Sequence, residues 1–146
     1  MQKPVVYIHG FIGHLRSPEL STGLPAGHVH APDLLGYGAF ADAGPSRMSI
    51  AHQADHLAQW IERELGDSQP VLVAHSAGAA VAIAYARKHP QRIAALVSAE
   101  GNLAPSDAFL SSRLAPKTVQ GVAEWLDAAR HDPASLLTSD ETLERA

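Results

Sequence analysis

Four short apolar runs, Val5 to Ile8, His28 to Ala31, Val71 to Ala74 and Ile93 to Val97, alternate along the chain with stretches of helical spacing. Runs that stay apolar, rather than alternating in and out, predict strands covered on both faces. The β–α rhythm predicts a parallel sheet with crossover helices. Between the second and third runs, Ile50, Ala54, Leu57, Ala58, Ile61 and Leu65 recur at i, i+4, i+7 and i+8, after Ser49 as an N-cap and before Gly66 as a stop. That spacing predicts an amphipathic helix. A second helix is predicted from about Ala77 to Lys88, ending before His89-Pro90 because a residue preceding proline avoids the α region. A third, short one starts at Ser17-Pro18, cap then first turn.

Beyond Glu100 no further β-rich run follows, and Pro105, Pro116 and Pro133 each introduce a helical stretch. Val119, Val122, Leu126 and Ala129 give the Pro116 segment an apolar stripe that predicts packing on another element. The change of texture divides the chain into an α/β part over 1–102 and a helical segment over 103–146.

Composition narrows the function. A chain of 146 residues, 46% hydrophobic and 18% charged, fits one soluble globular domain. The lack of cysteine removes disulfides, thiolate zinc sites and a cysteine nucleophile together. Eleven Lys and Arg against fifteen Asp and Glu, with no basic run, leave neither a nucleic-acid footprint nor a patch for anionic membranes. The apolar run near Met1 is too short for a signal peptide. The stretch Val71 to Ala86 carries His75, Ser76 and Gly78 and falls short of the roughly 20 residues that span a bilayer. A cytoplasmic protein without cofactor or metal is expected, whose partner is a small molecule or another protein.

Chemistry concentrates at two places. Ala74-His75-Ser76-Ala77-Gly78 stands where an apolar run turns directly into a helix, the setting of a nucleophile elbow with Ala in the first Gly position. A sharp turn there lifts the Ser76 hydroxyl above the sheet, beside the positive end of the following helix. The second place is Ile8-His9-Gly10-Phe11, at the end of the first strand. Acyl transfer develops negative charge on a carbonyl oxygen, and two backbone donors stabilise it without any side chain. The N–H groups of Phe11 and Ala77 are the candidates, with His9, Gly10 and His75 as neighbouring binding residues.

Together with Ala31-Pro-Asp-Leu-Leu-Gly-Tyr-Gly38, these motifs stand in the order and spacing of the α/β-hydrolase superfamily, which the chain resembles from about Val5 to Gly101. The resemblance implies a three-layer α/β sandwich with a mostly parallel sheet, truncated after the sixth strand. The four runs become family strands three to six, in the spatial order four, three, five, six. It also implies that Asp33 and Gly36 shape a loop over the site, and that the His75 ring points away from the reaction.

The family order is Ser, acid, then His, with the acid and the His normally after strands seven and eight. The chain is therefore read as an N-terminal portion lacking the usual His. Glu100, at the end of the fourth run, is the candidate acid. His89 stands at a helix end and His131 in the tail, whereas His9 and His14 approach from the oxyanion side and are expected to shape the loop. His52 and His56 sit at i, i+4 and are read as solvated on the polar side of their helix, not as metal ligands.

Two functions follow. One is a serine hydrolase acting on an ester or related acyl bond, with Ser76 as nucleophile. The other is a non-catalytic binding module that uses the same cleft. An open edge on the last strand further predicts a homodimer or a complementary C-terminal chain.

Overall fold

The computed structural model describes residues 2–11 and 13–132. Residues up to Asp107 form one compact unit, and a second begins at Ala108. In the first unit, β1 (Val5–Ile8), β2 (Val29–His30), β3 (Val71–His75) and β4 (Ala95–Ala99) make one sheet in the order β2-β1-β3-β4. All pairings are parallel, with Val5 opposite Val29 and Val71, and Val71 opposite Ala95. The expected strand order and class are found, and three strands differ in extent, β3 running one residue further, to His75. β2 keeps only two residues, and β4 starts two residues later than its apolar run. Pro90–Arg92 form a turn of 3-10 helix ahead of β4, and Ala94 N–H bonds the Pro70 carbonyl, so the ladder forms only beyond them.

Helix α1 (Ile50–Leu65) has the predicted ends. The Ser49 hydroxyl accepts the His52 N–H at 3.3 Å, which satisfies one of the four N–H groups a helix start leaves without partners. Gly66 stops the helix at φ 54°, a conformation glycine adopts without penalty. Helix α2 (Gly78–Lys88) follows β3 directly and ends at His89. Around Pro18–Ser21 the chain makes a 3-10 turn, but the Ser17 side chain does not cap its backbone; the hydroxyl turns to the Glu19 carboxylate instead.

Strand residues of alternate parity, Val6, Ile8, Leu72 and Ala74, are buried in one cluster with Leu57 and Ile61 of α1 and Val81 and Tyr85 of α2. Their neighbours Val5, Tyr7, Val71 and Val73 are half-buried. Burial is thus complete on the face that α1 and α2 cover, and partial on the other. β4 is an edge strand, and its Val97 is 48% exposed.

In the second unit lie α3 (Phe109–Leu114) and α4 (Val119–His131), the latter capped by the Thr118 hydroxyl on the Gly121 N–H. Of the α4 stripe, Val122 and Ala129 are half-buried, Leu126 is exposed and Val119 is 90% exposed. The helical start predicted at Pro133 lies outside the described residues. Among these residues no helix is long and apolar enough to cross a membrane.

The segment between β2 and α1 is fastened by polar contacts. Asp33 pairs with Arg16 and accepts the Ala39 N–H at 3.1 Å, while Arg16 Nε donates to the Ala31 carbonyl. Hydrogen bonding from Arg16 holds the Asp33 carboxyl below its ordinary range. A depressed carboxylate stabilises the fold above the unfolded-state pKa, near 4, and that contribution is lost as pH falls through the folded value. Asp33→Asn is therefore expected to lower the urea midpoint at pH 7, with the gap to the native chain narrowing below about pH 4. A gap that widens on acidification contradicts this reading. In the core, Leu57→Ala is expected to cost about 2–5 kcal/mol in the same unfolding measurement, the range for truncating a buried leucine.

Candidate active site

β3 ends at His75 and α2 begins at Gly78, so the strand becomes a helix across two residues. Ser76, between them, has φ 52°. A non-glycine residue held in the left-handed region costs on the order of 1–3 kcal/mol and persists only where its surroundings enforce it. Here Ser76 N–H bonds the Ala99 carbonyl at 3.1 Å, and the Ser76 carbonyl accepts the N–H groups of Ala79 and Asn102. The elbow is thereby pinned from both β4 and α2.

The end of β1 comes unusually close to this elbow. A Cβ on Gly10 would stand 2.7 Å from Ser76 Cβ and 3.2 Å from Ser76 Oγ. A Cβ on Gly78 would stand 2.5 Å from the carbonyl oxygens of Ile8 and His9. Real Cβ atoms do not approach backbone so closely, so both positions need glycine for the contact to exist. The result brings Gly10-Phe11 and Ser76-Ala77 together around one cleft. Among the described residues neither the Phe11 nor the Ala77 N–H has a protein acceptor, and Ala77 brings no side-chain oxygen to cap the helix start. Such uncapped donors suit an incoming oxygen.

His9 lies buried beneath the loop. Its Nδ1 meets the Gly10 carbonyl at 2.8 Å and its Nε2 receives the Leu34 N–H at 3.3 Å. A carbonyl only accepts, so Nδ1 carries the hydrogen, and the one lone pair at Nε2 is already used. His9 therefore ties the β1 loop to the segment around Leu34 and keeps no nitrogen to take a proton from Ser76. Gly36, at φ 88°, closes that segment by donating to the Phe40 carbonyl, and the Tyr37 hydroxyl donates to the Phe11 carbonyl at 2.7 Å.

Among the described residues the other histidines make no hydrogen bond to Ser76. His75 Nε2 lies 3.5 Å from a Glu100 carboxylate oxygen, with the His75 side chain half-buried and that of Glu100 largely in solvent. Glu100 thus meets the elbow histidine. His89 packs its ring on Tyr85, and the exposed His14 makes no side-chain hydrogen bond among the described residues. In the second unit, His131 bonds the Asp127 carbonyl of its own helix. His52 contacts Ser49 and is exposed, as expected. His56 corrects the reading of a solvated pair: half-buried, its ring packs edge-on against Phe40 and its Nε2 donates to the Asp33 carbonyl at 3.0 Å. Among the described residues no three His, Asp or Glu side chains converge as metal ligands.

Two residues emerge that sequence reasoning missed. Ser76 Oγ donates to Asn102 Oδ1 across a long 3.4 Å, and Asn102 N–H bonds the Ser76 carbonyl at 3.2 Å. Glu100, at φ 49°, turns the chain after β4 so that Asn102 returns beneath the serine. Buried Gln53 clamps both backbone groups of Leu35, each at 2.8 Å. Its position, four residues before Leu57 on the apolar face of α1, was the available signal. A polar residue in a buried stripe requires a partner.

Comparison with known proteins agrees with this geometry. Residues 3–140 match the family described as alpha/beta hydrolase fold. Lipase LipV of Mycobacterium tuberculosis is 35% identical over 143 residues, covering 97% of this chain and 49% of that protein. The chain thus spans about half the length of this curated relative. A monoacylglycerol lipase of Paleococcus ferrophilus superposes with a TM-score of 0.55 at 26% identity, over 80% of this chain and 49% of the other. An esterase of Thermogutta terrifontis, at 24% identity, shares the fold with a TM-score of 0.60, over 92% of this chain and 55% of the other. From the strand order, the elbow and these matches, the chain belongs to the alpha/beta hydrolase family.

Proposed function

We propose that this chain carries the nucleophile and oxyanion site of a serine hydrolase acting on an ester or related acyl bond. The observation that carries the reading is the left-handed Ser76 on its strand-to-helix turn, with Gly10 in van der Waals contact. Relatives named as lipases support the same class.

In this mechanism Ser76 Oγ adds to the acyl carbon, and the carbonyl electron pair moves onto oxygen between the N–H groups of Phe11 and Ala77. Donors fixed beforehand stabilise that charge without reorganising. Collapse of the adduct breaks the bond to the leaving alcohol, which departs with the proton that Ser76 gave up. Water then attacks the acyl-serine in the same way, releasing the acid and restoring the hydroxyl. Asn102 holds the resting hydroxyl, and Glu100 remains the candidate to orient a base. No described histidine hydrogen-bonds Ser76 Oγ, and this favours one second reading, a binding module that uses the cleft without turnover.

A fluorophosphonate separates the two. The expected result is a single adduct on Ser76 in peptide mass spectra, absent from Ser76→Ala. Without a placed base, turnover of an activated aryl ester is expected at no more than a trace rate, because losing a triad base costs several orders of magnitude. A folded chain that takes no adduct, or a Ser76→Ala variant modified equally, overturns the hydrolase reading in favour of the binding module.

A further inference from the structure

A cavity of about 170 Å³ opens beside the two backbone donors, and Phe11 and Ala77 themselves line it. Its other walls come from the segment around Leu34 and Tyr37, the start of α1, and Val81 of α2. We propose that this cavity is the acyl pocket and that it selects acyl groups of about four to six carbons, or one aromatic ring. The proposal rests on the hydrolase reading above and adds the substrate class.

Three observations carry it. First, the polar side chains in the wall are already committed. His9 is held by Gly10 and Leu34, Gln53 by both backbone groups of Leu35, and the Tyr37 hydroxyl by Phe11. Beyond the two backbone donors at its mouth, a polar ligand group would find few partners to replace its water, whereas an alkyl or aryl group loses no hydrogen bond. Second, Phe11, Met48 and Ile50 are large apolar residues left 44%, 39% and 43% exposed, and all three line this one cavity. Clustered exposed apolar side chains mark a binding site more often than scattered ones do. Third, the cavity is close in size to one of about 150 Å³ that admits benzene.

The same commitment decides which side of the substrate enters. A leaving alkoxide must collect a proton as its bond breaks. No group in this wall is free to deliver one, so the leaving oxygen faces away and the acyl chain faces in. Met48 lines the cavity, and its flexible end also touches Gly36, where a Cβ would lie 2.4 Å from Met48 Cε. In this proposal Met48 is the wall whose truncation lengthens the pocket.

The test uses alkylphosphonofluoridates carrying methyl, butyl, hexyl and dodecyl chains. In each reaction an Oγ–P bond forms, the P–F bond breaks, fluoride leaves and the hydroxyl proton passes to solvent. The rate constant for Ser76 labelling is expected to rise at least tenfold from methyl to hexyl, each buried methylene contributing at most about fourfold, and to fall again at dodecyl. Met48→Ala is expected to raise the ratio of the dodecyl to the methyl rate, and Met48→Leu to keep the native ratio. Rates independent of chain length, or a Met48→Ala profile identical to the native one, overturn the proposal. Amide NMR titration of the Ser76→Ala chain with sodium hexanoate reads the pocket without the nucleophile. Shifts at Val81 and Met48 are expected even if Ser76 proves unreactive, which separates failure of the pocket from failure of the hydrolase reading. Shifts elsewhere, or none, count against the pocket.

Discussion

The close approach of the β1 end to the serine elbow is the contact on which the rest of the site depends. Gly10 lies against Ser76, and Gly78 lies against the carbonyls of Ile8 and His9, at separations that leave no room for a Cβ at either position. The sheet supplies the register, since β1 and β3 are adjacent and Ile8 pairs with Ala74. Two small residues at the ends of paired strands then let a loop and a helix start share one cleft. Under the proposed reading, the N–H groups of Phe11 and Ala77 and the Ser76 hydroxyl serve that cleft without help from a charged side chain.

What keeps this arrangement rigid is a second tier of polar contacts inside apolar surroundings. His9 and Gln53 are buried and each makes two hydrogen bonds to the segment 34–35 or the loop beside it. Removing either leaves buried backbone groups without partners, which costs more than the bond itself contributes. The two side chains therefore act as structural clamps, and the pocket they border stays apolar because their polar atoms face the backbone. Ser76 and Glu100, both held at positive φ, add strain at the opposite side of the cleft, one to raise the hydroxyl and the other to return Asn102 beneath it.

Much of this was legible in the order of residues. The elbow was visible because an apolar run passes into a helix at Ser76, and α1 because Ser49 and Gly66 bracket a clean stripe. Less legible were features that depend on the third dimension. β4 begins late because Pro90–Arg92 turn as 3-10 helix just before it, a feature the apolar run does not carry. His56 reads as polar surface until Phe40 arrives from a distant turn to cover it. Asn102 is far from Ser76 in sequence, and only the reversal at Glu100 brings it near. The alternation of burial along β1 and β3 was likewise hidden, because residues such as Val5 and Val71 are apolar whichever face they occupy.

In the proposed mechanism the N–H groups of Phe11 and Ala77 receive the charge that develops when Ser76 attacks. A crystal structure of the phosphonylated chain tests it most directly, because the phosphoryl oxygen takes the place of the oxyanion. That oxygen is expected within about 3 Å of both nitrogens, with the phosphorus bonded to Ser76 Oγ. A phosphoryl oxygen turned to solvent, or an adduct bonded to any other residue, would contradict it.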